Sequence, residues 1–141
     1  MILLDSDHVS ILADPRQSLR EEFVSRLEEA HQDTRVPIVV VEEQLRGWLA
    51  AIHRVHDVRN QIIPYLRLSK LLDFLAQWPV MGWNEPATDI FMRLRESRVR
   101  IGTQDLKIAA IALANDALLL SANLVDFQHV PGLRVEDWLH R

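Results

Sequence analysis

An α/β fold built on a central, mostly parallel sheet of four to five strands, with helices on both faces, is what this sequence of 141 residues predicts. Three observations carry that expectation. Short, continuous, often β-branched apolar runs read as strands buried on both faces. They alternate with longer stretches of helical apolar spacing, the order expected of strand–helix–strand units. The length suits one domain with a substantial core, and neither repeat nor linker divides it. Residues 1–141 are therefore read as a single domain.

The elements follow in order. "ILL" is a short buried strand, expected to run into a loop carrying Asp5, Ser6 and Asp7. "SLREEFVSRLEEA" spaces Leu19, Phe23 and Leu27 four apart and predicts an amphipathic helix. "VPIVVV" predicts a second buried strand, and "EEQLRGWLAAIHRV" a helix whose inner face is Leu45, Leu49 and Ile52. A further helix runs through "LRLSKLLDFLAQW", with Pro64 near its start, where a missing N–H does least harm. "PVMGW" reads as a third strand. Asn84 then caps, and Pro86 opens, a helix through "ATDIFMRLRES". Gly102 and Thr103 are read as breaker and cap before a helix buried through Ile108, Ala109, Ile111 and Ala112. "ALLLSAN" is the fourth strand.

The composition, 48% hydrophobic and 26% charged, is that of an ordinary globular protein. No apolar run approaches the ~20 residues of a spanning helix, and no basic leader precedes the first apolar stretch. Zero cysteines exclude disulfides and thiolate metal sites. Together these predict a cytoplasmic protein with no membrane partner. The net charge of −4 is unevenly spread: residues 1–45 carry −6, residues 46–70 carry +4 and the rest −2. The middle stretch, with Arg46, Arg54, Arg59, Arg67 and Lys70, offers a patch for an anionic partner or else a solvated helix face.

Ligands of open parallel sheets gather outside the carboxyl ends of the strands. Asp5 follows the first strand, Glu43 is expected in the first turn after the second, Asp105 opens a later helix, and Asn123 and Asp126 follow the fourth strand. Glu43 and Asp105 each have a structural explanation, since helix N-termini favour carboxylates. Their joint convergence points instead to a hard cation that offsets the repulsion among them. Oxygen-only ligands favour Mg²⁺ or Mn²⁺ over zinc. His53 and His56 lack a third zinc ligand. His8 is read as a loop residue, and Trp48, Trp78, Trp83 and Trp138 as core and lid packing.

These pieces resemble the PIN-domain ribonucleases, specifically the VapC-like toxins of bacterial type II toxin–antitoxin pairs. The resemblance rests on "LLDSDHVS", "VEEQLRG", "IGTQDLKIAAIALA" and "LLLSANLVDFQHVPGLRVEDW", which follow in family order over nearly the whole chain. It implies a PIN-like three-layer fold and makes Asp5, Glu43 and Asp105 the metal-binding acids. Asn123 and Asp126 fall in the segment supplying the fourth polar catalytic group, and Ser121 where the family places a hydroxyl. Two departures stand out: Asn123 is not a carboxylate, and Val40 occupies a position where many relatives have a capping Thr.

The activity implied is Mg²⁺- or Mn²⁺-dependent endoribonuclease cleavage of single-stranded or loop RNA. Ser121, Arg46, Arg54 and Arg59 are the expected substrate-binding residues. The resemblance also implies a homodimer and a cognate antitoxin, whose arginines would suit a carboxylate cluster. Two readings compete. A haloacid-dehalogenase-type phosphatase would use Asp5 as nucleophile and Asp7 as acid/base, but needs a site lysine, and the chain has only Lys70 and Lys107. A non-catalytic PIN module would follow if Asn123 spoils the metal site.

Overall fold

A computed structural model describes residues 1–140. Five parallel strands form one sheet in the order β3-β2-β1-β4-β5: β1 Ile2–Leu4, β2 Thr34–Pro37, β3 Val80–Met81, β4 Leu118–Leu120 and β5 Arg134–Glu136. The helices are α1 Ser6–Ala13, α2 Arg20–Ala30, α3 Ile38–His53, α4 Ile62–Leu75, α5 Glu85–Glu96, α6 Thr103–Ala114 and α7 Leu124–Phe127, with a 3-10 turn at Val58–Gln61. The chain builds outward from β1 to β3, then returns through α5 and α6 to lay β4 on the other side of β1. Right-handed crossovers in opposite directions put their helices on opposite faces, so α1 to α4 cover one face and α5 and α6 the other.

The centre of the sheet is dry. Ile2, Leu3, Leu4, Leu119 and Leu120 are fully buried, as is the α6 run Ile108 to Ala112 that packs on them. The predicted α6 burial, the Asn84 cap and the Pro86 start are all present, with Asn84 Oδ1 accepting from the Ala87 N–H at 3.1 Å. "LRVEDW" adds the edge strand β5.

Four expectations need correction. The loop expected after β1 is helix α1, which begins at Ser6 with Asp5 as its N-cap. The strand expected over "VPIVVV" stops at Pro37, which closes the ladder against β3, and Ile38 to Val41 form the first turn of α3. Continuous β-branched runs fit a buried helix end as well as a strand, and the proline decides between them by withholding an N–H. With the helix started earlier, Glu43 sits in its second turn, Val40 is a fully buried first-turn residue rather than a cap, and the inner stripe is Val41, Leu45, Trp48 and Ile52. Leu49 falls outside that stripe and is 47% exposed. Gly102, not Thr103, occupies the cap position of α6, and no side chain caps it.

His8 is the fourth. It lies in α1, not in a loop, and is fully buried. Its Nδ1 meets Asp7 Oδ1 at 2.5 Å, its Nε2 accepts from the Trp138 N–H at 3.2 Å, and its ring stands edge-on to Phe23. That histidine ties α1 to the segment after β5. Trp48, Trp78 and Trp138 pack partly buried against the core, while Trp83 lies edge-on to Phe91.

Candidate active site

The order β3-β2-β1-β4-β5 reverses direction between β1 and β4, and at such a switch point a crevice opens outside the carboxyl ends of the strands. Asp5 stands there. Its N–H donates to the Leu120 carbonyl at 2.9 Å, the last rung between the two central strands. Its Oδ1 accepts from the Ser6 N–H at 2.7 Å, as an N-cap does, and its Oδ2 accepts from Ser121 Oγ at 2.6 Å. Burial pushes the Asp5 carboxyl up to about 6. The Ser121 hydrogen bond opposes this, and the charges of Asp7 and Asp105 add to it.

From Asp5 a polar network runs both ways. Ser6 Oγ donates to Glu43 Oε2 at 2.5 Å, tying α3 to the start of α1. On the other side Ser121 Oγ accepts from the Asn123 N–H at 3.0 Å. Asn123 Nδ2 then donates to Asp105 Oδ2 at 3.3 Å and to Asp126 Oδ2 at 3.0 Å. Asp105 is also held above the usual carboxylate range, first by burial and then by the charges of Glu43 and Asp126, against the Asn123 bond. Asp5, Glu43, Asp105, Ser121, Asn123 and Asp126 thus share one crevice. The Asn123 amide turns its nitrogen, not its oxygen, toward the two carboxylates.

None of the arginines expected from the sequence to bind substrate makes a hydrogen bond to a crevice carboxylate among the described residues. Arg46 is exposed and pairs with Glu42 at 2.7 Å, which in turn accepts from Gln104 of α6. Arg54 caps the far end of α3, on the order of 16 Å along the helix from Glu43 at 1.5 Å per residue. Arg59 lies beyond it, in the 3-10 turn.

From the sequence, Ser6 and Asp7 read as loop residues, Asp7 also as the acid/base of the competing phosphatase, and neither has a place in the metal-site reading. Asp7 Oδ2 accepts from the Ala122 N–H at 3.0 Å, which holds the turn after β4 against α1. The signal was available: Asp5 before Val9 and Leu12 is an N-cap pattern, and a helix starting there brings Ser6 and Asp7 to the same edge.

The carboxylates of Asp5, Glu43, Asp105 and Asp126 offer only oxygens, and their charges repel one another. Among the described residues no group of three or more His, Asp or Glu side chains is drawn together as a ready cage. Mg²⁺ does not require one, because it keeps several of its waters and takes only one or two carboxylates. The donor set fits such an ion.

No family model matches the chain. It is 32% identical over 74 residues to Ribonuclease VapC2 of Rickettsia felis, a match spanning 50% of this chain and 55% of that protein. It is 25% identical over 88 residues to the tRNA(fMet)-specific endonuclease VapC of Salmonella typhimurium, across 60% of this chain and 67% of that one. The chain therefore spans about half to two thirds of the length of these curated relatives. The fold match is longer. A chain in the crystal structure of VapBC2 from Rickettsia felis, bound to a DNA fragment from its promoter, superposes with a TM-score of 0.75 at 21% identity, covering 98% of this chain and 99% of that one. Over half to three fifths of its length the chain is thus similar in sequence to these two VapC proteins, and over nearly all of it the chain shares the fold of the VapBC2 neighbour. Among the described residues, no helix is long and apolar enough to cross a membrane.

Proposed function

We propose that residues 1–141 form one PIN domain acting as a metal-dependent endoribonuclease on single-stranded or loop RNA, as the toxin of a toxin–antitoxin pair. The observation that carries this reading is the crevice at the β1/β4 switch point, where burial and mutual repulsion raise the carboxyls of Asp5 and Asp105. Such an arrangement is costly for stability alone and useful for holding a cation. The ribonuclease and tRNA endonuclease activities for which the two relatives are named support the RNA substrate, and the VapBC neighbour supports an antitoxin partner. A cytoplasmic location and a homodimer belong to the same reading.

Asp5, Glu43 and Asp105 would hold Mg²⁺ or Mn²⁺, which when bound supplies charge neutralisation at the scissile phosphate. The chain's own groups do the rest. Ser121 fixes the Asp5 carboxylate through Oδ2, and Ser6 fixes Glu43. Asn123 spaces Asp105 from Asp126 by donating to both, which leaves Asp105, held above the usual carboxylate range by burial and neighbouring charge, suited to orient the attacking water. A haloacid-dehalogenase-type phosphatase is less well supported, because Lys107 acts on Glu42 rather than on Asp5.

The test is cleavage of single-stranded RNA with Mg²⁺ or Mn²⁺ and with EDTA, by wild type and by folded Asp5→Ala and Asp105→Ala. Cleavage by wild type with metal only, and by neither variant, is expected. Cutting in EDTA, or by either variant, would reject the reading; binding without any cutting would favour the non-catalytic module.

A further inference from the structure

Beside the acidic crevice runs a groove of about 610 Å³ between α1, α3 and α4, within the size range of small-ligand clefts. Gln44, the residue after Glu43, lines the groove and donates through Nε2 to the Ser6 carbonyl at 3.3 Å and to Ser10 Oγ at 3.2 Å, so the groove adjoins the crevice at this residue. The groove's apolar lining includes Trp48, Ile63, Leu66 and Leu71. Its rim carries Arg16, Arg67 and Lys70 against the single carboxylate of Asp14. A local excess of two positive charges in a chain of net −4 is a feature that burial does not require.

We propose that this groove binds the single-stranded RNA flanking the scissile phosphate, one base lying against Trp48 and the adjoining phosphates on Arg67 and Lys70. Arg67 stands over the Trp48 ring, its guanidinium carbon 5.5 Å from the ring centroid, so a base reaches that ring by moving the flexible, exposed Arg67 side chain off it and onto the adjoining phosphate. Single-strand binders combine these two elements: a basic track for the backbone and an aromatic face for bases. Asp14 does not cancel the rim. The Arg16 N–H and side chain hold it, Arg16 Nε lying 3.4 Å from Oδ1, and with the field of Arg67 they keep its carboxyl below the usual range. An acidic crevice repels RNA, so a basic groove beside it is what the substrate's charge requires. Arg46, already paired with Glu42, and Arg54 and Arg59, at the distal end of α3, serve that need less directly.

The inference rests on the nuclease reading, and one set of measurements separates the two. Binding of a fluorescent single-stranded oligoribonucleotide is followed in EDTA, where nothing is cut, over a range of salt concentrations. In the Arg67→Ala/Lys70→Ala double variant, both residues being exposed, the salt slope should fall by about 1.4, or ~0.7 per lost phosphate contact. Trp48→Ala should weaken binding about 5- to 150-fold, with Trp48→Phe restoring most of it. A 4-thiouridine oligonucleotide should photo-crosslink to the peptide containing Trp48. An unchanged salt slope in the double variant, while wild type still cuts RNA, overturns the groove and leaves the nuclease standing. Tighter binding of polyglutamate than of RNA, lost in the same variant, makes the occupant an acidic protein and also overturns it. Wild type that binds RNA through the groove yet cuts none with Mg²⁺ or Mn²⁺ rejects the nuclease reading alone.

Discussion

Ser121 does more for Asp5 than its small size suggests. It is fully buried, and its hydroxyl is the largest influence holding the Asp5 pKa down against burial. Ser121→Ala should therefore raise that pKa above about 6 and move the acid limb of any cleavage profile to higher pH, at a stability cost of about 1 to 3 kcal/mol for the unpaired partner. A pH–rate profile beside a urea titration checks both, and an unmoved acid limb would show that Asp5 does not govern it. Asn123 invites a similar substitution. Asn123→Asp replaces a donor to Asp105 and Asp126 with a third charge, and the metal-free protein should melt lower while gaining more from Mg²⁺. A metal-free melt that does not fall would mean that the repulsion is already relieved by solvent.

At the scale of elements, α3 decides how the site is assembled. Starting at Ile38, directly after Pro37, it buries Val39 and Val40 and turns Glu43 toward Ser6. Gly47, one turn further on, has open space where a Cβ would stand and a backbone conformation that any residue tolerates. Gly47→Ala should thus stabilise the protein by about 0.5 to 1 kcal/mol, the ordinary helix-interior difference. Chemical denaturation measures it, and a loss of stability would mean that the flexible helix centre is needed by the fold. On the other face, Asn84→Ala should cost about 1 kcal/mol by freeing the Ala87 N–H at the start of α5.

For the whole molecule, the crevice makes stability depend on pH and metal together. The Asp5 pKa of about 6 lies above its unfolded value of 3.8, so between those pH values the folded state holds a proton that the unfolded state has released. The corresponding stability is complete below about pH 4 and is lost as pH rises through about 6, a loss on the order of 3 kcal/mol at ~1.4 kcal/mol per unit. Asp105, whose pKa is raised too, adds in the same direction. Thermal melts in EDTA should therefore fall from pH 4.5 to pH 7. Millimolar Mg²⁺ should offset the decline in wild type and less so in Asp105→Asn, which should itself melt at or above wild type in EDTA. A wild type indifferent to Mg²⁺ and Mn²⁺, with a markedly weaker Asp105→Asn, would make Asp105 a structural first-turn residue and the crevice no metal site.

The alternation of buried apolar runs with helical spacing was enough, by itself, to specify a parallel sheet, because only strands covered on both faces can lack polar residues. The burial of α6 and the cap of α5 were equally legible, being properties of contiguous residues. The acids Asp5, Glu43 and Asp105 could be placed near the strand ends one at a time, Glu43 and Asp105 each with a structural alternative. What the sequence could not decide was how "VPIVVV" divides between strand and helix, since β-branched runs suit both and the answer depends on Pro37 closing a ladder with Met81 of a distant strand. Nor could it show that Ser6 and Ser121, 115 positions apart, bracket one carboxylate, or that Trp48, Arg67 and Lys70 line one groove with Gln44, the neighbour of Glu43. Those are relations between segments far apart in the chain, set by the reversal of strand order between β1 and β4, and only the packed fold brings them within hydrogen-bonding reach.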